Sequence, residues 1–256
     1  MPAVCGVKHP KHIFITGASS GIGADLAIAY AHDDVVLALT GRNAERLEEV
    51  AKSCRARGAH VMTTTIDVRD AMSLKNFIEQ FDEKYPVDLV IANAGVSATT
   101  SGVADDIAQA QIVFDINLQG VLNTIHPLIP RMMKRRAGQI AMMSSLASFR
   151  PLPSAPPYSA AKAGVRFYGE ALAGLLKHYN VQVSVICPGW IHTPLTDKNT
   201  FPMPFIMSSE RAVQRIIRAL SCGKRRIVFP KRLYFLMRLL DLFPNALTNL
   251  LFDEKR

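Results

Sequence analysis

Short apolar runs alternate with longer amphipathic segments along most of the chain. Seven apolar runs are predicted to form strands, at 12–16, 35–39, 60–66, 88–92, 139–143, 181–186 and 226–229. Runs of this length and continuity are typical of strands that are buried on both faces of a parallel sheet. The segments between them predict helices at 22–32, 44–57, 71–84, about 104–136, 159–178 and 210–220.

The alternation of strands and helices predicts an α/β fold class. We expect a single doubly wound domain with a central parallel sheet of about seven strands and helices on both faces. No repeat, low-complexity tract or linker divides the chain. Residues 1–230 are therefore expected to form one domain, and residues 231–256 a C-terminal amphipathic, basic extension of it.

Two loops break the alternation and are candidate ligand-binding segments. Residues 150–157 contain four prolines, and residues 194–207 are more apolar than an exposed loop normally is. Loops after the carboxyl ends of parallel strands are where doubly wound domains bind their ligands. We expect a substrate loop at about 193–210.

The composition limits the class of protein. Hydrophobic residues make up 49% of the 256 positions and charged residues 20%, which suits a large buried core and excludes a disordered, collagen-like or disulfide-stapled chain. The four cysteines form no Cys-x-x-Cys pair and stand at no spacing that suits zinc. We expect reduced thiols and no metal site.

The positive charge is concentrated at the C-terminal end. The net charge is +9, and residues 211–256 alone hold 11 Lys/Arg against 3 Asp/Glu. This argues against a nucleic-acid-binding fold and points to one face that meets a membrane or an acidic ligand. Residues 1–12 lack the apolar run of a secretory signal, and polar residues interrupt 233–251. We expect a cytoplasmic protein. The basic C-terminal end extends this prediction to association with the inner surface of the membrane.

A glycine-rich motif follows the first predicted strand: Thr16-Gly17-Ala18-Ser19-Ser20-Gly21-Ile22-Gly23. Glycines let the backbone turn sharply and approach a pyrophosphate, and the amide groups at the start of the following helix favour its negative charge. The alternative is a glycine-rich turn that only packs the helix against the strand. The position of the motif after the first strand favours dinucleotide binding.

The residues after the second and third strands bear on which dinucleotide would bind. A unit that binds NAD usually has an acid after its second strand, whereas this chain has Arg42 and Asn43 there. A guanidinium suits a 2′-phosphate because its planar fork bonds phosphate oxygens. NADP(H) is therefore the favoured cofactor, and NAD(H) is the alternative. The simpler interpretation of Arg42 is that it is only a solvated surface residue. Asp67 and Val68 follow the third strand, where Asp67 is placed either to meet adenine or to cap the next helix.

A Tyr-x-x-x-Lys pair on a predicted helix carries the candidate chemistry. Tyr158 and Lys162 lie one turn apart on the same face. A phenol is a weak base at neutral pH because its pKa is about 10, and a nearby ammonium group lowers that pKa. The pair can therefore donate or accept a proton near physiological pH. Ser145 follows the predicted strand 139–143, so its hydroxyl can polarise a carbonyl that Tyr158 also contacts.

Together these motifs resemble the short-chain dehydrogenases/reductases over about residues 11–225. The glycine motif, Asn93-Ala94-Gly95, Asn117, Ser145, the Tyr158/Lys162 pair and Pro188-Gly189 occur in the order and spacing of that family. The resemblance implies a Rossmann-like fold that binds a nicotinamide dinucleotide. The tail beyond Arg225 matches the family poorly.

The resemblance also implies a role for each matching residue. Tyr158 would be the catalytic acid/base, Ser145 the carbonyl polariser and Lys162 the group that holds the nicotinamide ribose. Asn117 would hold a water that links Lys162 to solvent, and Asn93 would also stabilise the central strands. The cofactor-binding set would be Gly17, Ser19, Ser20, Gly21, Ile22, Gly23, Arg42, Asn43, Asp67, Val68, Asn93, Ala94, Gly95, Tyr158, Lys162, Pro188, Gly189, Ile191 and Thr193.

The segments that would contact a substrate are largely apolar. The candidate substrate residues are Ala147, Leu152, Trp190, Phe201 and Phe205. They predict a hydrophobic carbonyl or alcohol, such as an acyl chain or sterol, and the alternative is that they pack on the core or in a subunit contact. The predicted function is NADPH-dependent reduction of such a carbonyl, and the alternative is a catalytically weak nucleotide-binding scaffold or sensor.

The C-terminal extension is predicted to be an apolar helix with a narrow polar stripe at 231–251, kinked at Pro244. Lys231 and Arg232 stand beside it, as does the basic cluster at 224–226. An apolar face flanked by cations is typical of a helix that lies on an anionic membrane. Burial in a homodimer or homotetramer interface is an equal alternative.

Overall fold

The central layer is a sheet of parallel strands. The computed structural model describes residues 6–97, 107–152, 154–194, 196, 203 and 205–240. Within them the strands are β1 (His12–Thr16), β2 (Val36–Gly41), β3 (His60–Thr65), β4 (Leu89–Ala92), β5 (Gln139–Met143), β6 (Gln182–Pro188) and β7 (Arg226–Phe229). Each lies at a predicted position, and the predicted α/β class is confirmed.

Helices cover both faces of the sheet. They are α1 (Gly21–Tyr30), α2 (Ala44–Arg55), α3 (Ala71–Lys84), α4 (Ile107–Phe114), α5 (Gly120–Ile125), α6 (Ile129–Arg135), α7 (Pro156–Leu176), α8 (Ser209–Ser221) and α9 (Lys231–Leu240). Side-chain caps fix where two of them begin. Asn43 accepts from the Arg46 amide at 2.8 Å at the start of α2, and Asp70 accepts from the Ser73 amide at 3.0 Å at the start of α3.

The order of the strands creates a crevice near the middle of the sheet. The strands lie in the order β3-β2-β1-β4-β5-β6-β7, and each neighbouring pair is parallel. The direction of the strand order reverses between β1 and β4, where the following loops leave the sheet toward opposite faces. The glycine motif after β1 and Asn93 after β4 both stand at this point.

Alternate side chains of the strands enter two separate cores. In β1, Ile13 and Ile15 pack on the face covered by α1, α2 and α8, whereas Phe14 packs on the face covered by α3, α5, α6 and α7. All three side chains are fully buried. An inner strand with two covered faces must be apolar at successive positions, which explains the continuous apolar runs in the sequence.

The stretch predicted as one helix at about 104–136 is divided, so that prediction is wrong in this respect. In its described part α4 ends at Phe114, a π-helical turn spans Asp115–Gln119, and α5 and α6 follow. Pro127 lies between α5 and α6, and Pro130 lies in the first turn of α6. Proline lacks an amide hydrogen and clashes with the preceding turn, so it ends α5 and favours the start of a new helix.

Helix α9 follows β7 and packs beside the carboxyl end of β6. Leu233 and Met237 are buried in a small third cluster with Leu146, Val185 and Cys187. The predicted kink at Pro244 and the rest of the extension lie outside the described residues. Across the described ranges, no helix is both long enough and apolar enough to cross a membrane.

Candidate active site

The glycine motif forms a tight loop against the chain that follows β4. Gly17 and Gly21 have φ angles of +66° and +56°, a left-handed conformation that other residues rarely adopt. A Cβ atom on Gly17 would lie 2.7 Å from the Cα atom of Ala94. The turn and the close approach of the two chain segments therefore both require glycine.

Asn93 ties the ends of β1 and β4 together. Its Nδ2 donates to the carbonyl oxygens of Thr16 and Gly17, at 3.2 Å each. The backbone amides of Asn93 and Ala94 donate to Oγ1 of Thr16 at 3.2 and 3.3 Å. These bonds cross the crevice at its base and hold its two sides at a fixed separation.

The loop between β1 and α1 has the properties of a pyrophosphate cradle. Ser20 is the N-cap residue of α1, and its side chain makes no capping hydrogen bond. The first amide groups of α1 therefore face the loop with no side-chain acceptor from the cap, which suits an anion. A Cβ on Gly21 would lie 3.2 Å from Cγ2 of Thr193 across the crevice. A dinucleotide fits the residues present, with Ser19 on the loop and Ile22 and Gly23 in the first turn of α1.

Arg42 and Asp67 are neighbours at the adenosine end of the crevice. Arg42 is exposed after β2, and the Ile66 amide beside Asp67 donates to the Gly41 carbonyl at 3.2 Å. Sequence reasoning missed Arg69, whose guanidinium donates to the Asp67 carboxylate at 2.8 to 3.1 Å. Hydrogen bonding from Arg69 lowers the pKa of Asp67, and the positive charge of Arg42 lowers it further.

Three neighbouring residues have structural partners at this end. Asn43 caps α2, and Val68 is buried in the core on the α3 face. Asp70 caps α3, so Asp67 does not have the capping role that was its alternative. Both carboxylate oxygens of Asp67 instead accept from Arg69, so a ligand at the carboxyl end of β3 would meet the two side chains as a pair.

Ser145, Tyr158 and Lys162 converge at the carboxyl end of β5. Ser145 lies two positions after β5 ends, and α7 carries the other two residues one turn apart. The Ser145 side chain lies close enough to the Tyr158 phenol to lower its pKa, and the Lys162 Nζ atom lies 5.7 Å from the centre of the Tyr158 ring. Pro156 and Pro157 occupy the first turn of α7, where proline is favoured, and so fix where this helix begins.

Lys162 is buried and bonded to the end of β5. Its Nζ donates to the Met143 carbonyl at 2.9 Å, and Ser144 Oγ donates to the carbonyl of Lys162 at 2.7 Å. Burial lowers the pKa of Lys162 from 10.5 to about 8. The ammonium group therefore loses its proton closer to neutral pH than an exposed lysine does.

Burial raises the pKa of Tyr158, and the neighbouring Ser145 side chain offsets this only in part. The sequence predicted that the ammonium of Lys162 would lower this pKa. In the structure the pKa is raised instead, because desolvation penalises the phenolate, and the Lys162 Nζ donates to the Met143 carbonyl. Tyr158 is thus a protonated donor at neutral pH.

Asn117 lies in the π-helical turn between α4 and α5 and is fully buried. Its Oδ1 accepts from the Val96 amide at 3.0 Å, and its Nδ2 donates to the Val96 carbonyl at 2.9 Å. A Cβ on Gly95 would lie 2.7 Å from Asn117 Oδ1 and 3.4 Å from Lys162 Nζ. Asn117, Gly95 and Lys162 are therefore neighbours, and the bonds to Val96 are a contact that the sequence did not predict.

The segment after β6 forms the opposite wall of the crevice. Pro188 is the last residue of β6, and Gly189 follows it. Ile191 is buried and forms a parallel bridge with Met207. The Thr193 amide donates to Oγ1 of Thr196 at 3.0 Å, and the Thr193 side chain faces Gly21 of the glycine loop.

The candidate substrate residues lie in different environments. Ala147 is buried in the short 3-10 turn after Ser145, and Trp190 packs against the third cluster. Leu152 is half-buried, whereas Phe205 is 53% exposed. Phe201 lies outside the described residues. Trp190 thus contacts the core and Phe205 is open to solvent, and the substrate role of both stays a prediction.

A groove of about 460 Å³ lies away from the crevice, between α3, α5 and α6. Its lining residues include Lys75, Glu79, Asn123 and His126. It is lined by none of the predicted site residues. The crevice between the ends of β1 and β4, and not this groove, is therefore the candidate active site.

The crevice and the Ser145–Tyr158–Lys162 group define a class of protein, the nucleotide-dependent oxidoreductases. The family model of the short chain dehydrogenases matches residues 11–202, and the chain belongs to that family. It is therefore an oxidoreductase that interconverts a CH–OH group and a carbonyl with a nicotinamide dinucleotide.

Relatives with different names are similar to this chain over most of its length. It is 34% identical to an uncharacterized oxidoreductase of Myxococcus xanthus, over 91% of this chain and 92% of that protein. It is 31% identical to an 11-beta-hydroxysteroid dehydrogenase-like protein of Arabidopsis thaliana, over 94% of this chain and 80% of that protein. A solved short-chain dehydrogenase from Sphingobium yanoikuyae in complex with NADPH superposes with a TM-score of 0.80 at 22% identity, covering 96% of each chain. This last likeness shows the fold.

Proposed function

We propose that the protein reduces the carbonyl group of a hydrophobic, lipid-like substrate and prefers NADPH. The observation that carries the proposal is the convergence of Ser145, Tyr158 and Lys162 beside the glycine cradle. A nucleotide-binding scaffold or sensor has no need for a neighbouring serine and tyrosine next to a buried lysine. This arrangement therefore favours an enzyme over that alternative.

The three side chains divide the chemistry of the reduction. Ser145 donates a hydrogen bond to the substrate's carbonyl oxygen and polarises it, and Tyr158 donates its phenolic proton to the same oxygen. Because burial raises the pKa of Tyr158, the proton is present at neutral pH, which suits the direction of reduction. The ammonium of Lys162 stabilises the phenolate that remains. When bound, the nicotinamide dinucleotide supplies the hydride that the carbonyl carbon receives.

The dinucleotide would be held along the crevice between the ends of β1 and β4. The glycine loop and the amide groups at the start of α1 would hold the pyrophosphate, and Arg42 the 2′-phosphate of NADPH. Asp67 would meet the adenine, with Arg69 beside it. Solved structures with this fold are titled as bound to NADPH in one case and to NAD in another, so the preference rests on Arg42.

An apolar substrate is supported by the surroundings of the site. Phe205 is exposed on the substrate loop, and the apolar third cluster, including Leu146 and Leu233, lies beside Ser145. Similar proteins carry names that specify acyl or steroid substrates, including a 3-oxoacyl-[acyl-carrier-protein] reductase of Thermotoga maritima that is 30% identical over 73% of this chain and 77% of that protein. A sugar would require more polar groups near the site.

Helix α9 supports a second part of the proposal, contact with an anionic membrane. Its outer face exposes Phe235, Leu236 and Leu239, and Lys231 and Arg232 are exposed in its first turn. Apolar side chains beside cations suit the surface of an anionic bilayer. The same proposal includes a cytoplasmic location and assembly into a homodimer or homotetramer. A subunit contact through α9 is the alternative to membrane contact, and the vesicle-binding experiment distinguishes the two.

The experiment that tests the main proposal is an activity screen with a matched variant. The protein with NADPH is incubated with a lipid extract, and the reduced product is identified by mass spectrometry. Tyr158→Phe removes only the proton donor, so we expect turnover to fall about 10²- to 10⁴-fold while the Kd for NADPH changes less than about twofold.

Two outcomes would contradict the proposal. Wild-type turnover in the Tyr158→Phe variant would show that the phenol is not the proton donor. Tight NADPH binding with no reduction across a broad panel of ketones and aldehydes would replace the enzyme by the scaffold alternative.

A further inference from the structure

The polar face of α7 continues beyond Tyr158 and Lys162. Arg166 and Glu170 follow at the same four-residue spacing, so all four side chains lie on one face of the helix. The mechanism proposed above uses only the first two. Arg166 is largely buried, with 12% of its side chain exposed, which is unusual for an arginine without a role.

Arg166 reaches the turn that carries Ser145. Its Nη2 donates to the Ser148 carbonyl at 3.1 Å. Ser148 is bonded in turn to Ser145, because its amide and its hydroxyl both donate to the Ser145 carbonyl, at 3.1 and 2.6 Å. Two successive contacts therefore connect the guanidinium to the backbone of Ser145.

Two aromatic rings enclose the guanidinium group of Arg166. The centres of the Phe149 and Phe167 rings each lie 4.4 Å from its central carbon. Phe167 is 65% exposed, and its position over the guanidinium gives this exposed ring a function. The Nε atom of Arg166 is buried and has no acceptor among the described residues, which fits a guanidinium packed between aromatic faces.

The far end of the polar face is fixed to the edge strand. The Glu170 carboxylate lies 3.6 Å from Arg166 and accepts from Nε and Nη2 of Arg226 in β7, at 2.8 Å each. The Arg226 guanidinium also lies 5.7 Å from the centre of the Phe149 ring. Arg166 is thus held in one orientation by a carboxylate and by two rings.

Contacts with α7 hold the chain on both sides of Ser145. On its N-terminal side the Ser144 hydroxyl donates to the Lys162 carbonyl at 2.7 Å, and on its C-terminal side Ser148 accepts from Arg166. The same face carries Tyr158, whose pKa is lowered by the neighbouring Ser145 side chain. The position of the serine relative to the tyrosine therefore depends on both contacts. Of the two α7 residues that make them, only Arg166 has a side chain that the reaction does not need.

We propose that Arg166 is a positioning residue, which holds the Ser145 hydroxyl in register with the Tyr158 phenol so that both meet the same carbonyl oxygen. The inference rests on the role proposed for Ser145. A displacement of about 1 Å at a reacting group lowers a rate strongly. Loss of Arg166 frees the turn at 146–148 and leaves the Tyr158 and Lys162 side chains in place.

A double-mutant cycle tests this role. We expect Arg166→Met to lower kcat about tenfold in the wild-type background, with the Kd for NADPH within about twofold. In a Ser145→Ala background the same substitution should change kcat less than about twofold, because there is no hydroxyl left to position. Arg166→Lys keeps one donor and the charge and should recover part of the loss.

Two further variants complete the design. Arg131→Met is the matched control, since Arg131 is a half-buried arginine paired with Asp82 and Glu83 away from the crevice, and it should leave kcat unchanged. Phe167→Ala uncovers Arg166 without removing it and is used if Arg166→Met fails to fold. We expect it to lower kcat about two- to threefold in the wild type and not in Ser145→Ala.

The outcomes separate this inference from the proposed function. An equal loss of kcat in both backgrounds, or a folded Arg166→Met protein with wild-type kcat, overturns the positioning role and leaves Ser145 unaffected. Wild-type kcat in Ser145→Ala alone overturns the proposed role of the serine itself, and the positioning role with it.

Discussion

At the scale of single residues, depth in the protein decides how Lys162 titrates. Burial lowers its pKa to about 8, whereas in the unfolded chain the value is close to 10.5. Between these pH values the unfolded chain binds more protons than the folded protein does. The free energy of unfolding therefore rises with pH in this window, by at most about 1.4 kcal/mol per pH unit. Below about pH 8 both states carry the proton, so the buried charge destabilises the folded protein by its full amount.

The substitution Lys162→Met removes this proton linkage. We expect the free energy of unfolding of the wild type, minus that of the variant, to be constant below about pH 8 and to increase above it. Urea titrations of both proteins between about pH 7 and pH 10 measure the difference, and the variant corrects for all other titrating groups. A difference that stays flat up to pH 10 would show that Lys162 keeps its proton in the folded protein.

Arg42 is the residue on which the proposed preference for NADPH rests. Arg42→Gln removes the charge that would meet the 2′-phosphate, so we expect the Kd for NADPH to increase about 10- to 100-fold, as for loss of a charged hydrogen bond. The Kd for NADH should change less than about twofold. Arg46→Gln, at an exposed arginine one turn further on in α2, is the control.

Titration of the nicotinamide fluorescence measures the Kd of NADPH and of NADH for the wild type and both variants. Equal weakening of NADPH and NADH in Arg42→Gln would mean that the residue acts on the loop and not on the phosphate. In that case Arg69, which also lies beside Asp67, would become the candidate for the phosphate contact.

At the scale of helices and strands, periodicity predicted most elements because each covered face imposes its own spacing of apolar positions. The strands β1, β5 and β7 and the helix α3 lie at the predicted bounds. The largest error, the undivided segment about 104–136, came from giving the amphipathic pattern more weight than Pro127 and Pro130. The π-helical turn at Asp115–Gln119 has no such local signal, because it depends on where Asn117 meets the chain after β4.

Helix α9 offers a test of packing at this scale, since its two faces differ. Leu233 is 6% exposed and Leu236 is 48% exposed. Leu233→Ala leaves a cavity against the third cluster, so we expect it to lower the free energy of unfolding by about 2–4 kcal/mol. Leu236→Ala should change it by less than about 0.5 kcal/mol.

Urea denaturation of the two variants checks this contrast. Equal effects of the two substitutions, or a larger one at Leu236, would mean that α9 turns a different face to the sheet. The outer face proposed for membrane contact would then be wrong as well.

At the scale of the whole molecule, charge is distributed very unevenly. Residues 211–256 contribute eight of the nine net positive charges, and α9 lies among them with exposed apolar side chains. Each basic residue near an anionic bilayer contributes about 1 kcal/mol to binding. The protein should therefore bind anionic vesicles and not neutral ones, and the binding should weaken with salt.

Charge reversal tests this prediction. We expect the double substitution Lys231→Glu and Arg232→Glu to lower the fraction that sediments with vesicles containing phosphatidylserine at least about tenfold. Lys75→Glu with Lys134→Glu makes the same change in net charge on α3 and α6, and it should have little effect. No binding by the wild type, or equal binding by the reversed variant, removes the membrane contact, and a change in oligomeric state instead points to a subunit interface.

The sequence by itself determined the fold class, the order of the elements and the positions of the family motifs. These are encoded locally, in the apolar periodicity and in residues such as Gly17 or Lys162 whose type at a given spacing carries the chemistry. Only the tertiary structure decided the contacts of Asn117 with Val96, of Arg69 with Asp67 and of Arg166 with the turn after Ser145. It also decided that burial raises the pKa of Tyr158, where the sequence predicted a lower value. Such contacts and solvation depend on how separate elements pack against one another, and no local pattern in the chain contains that information.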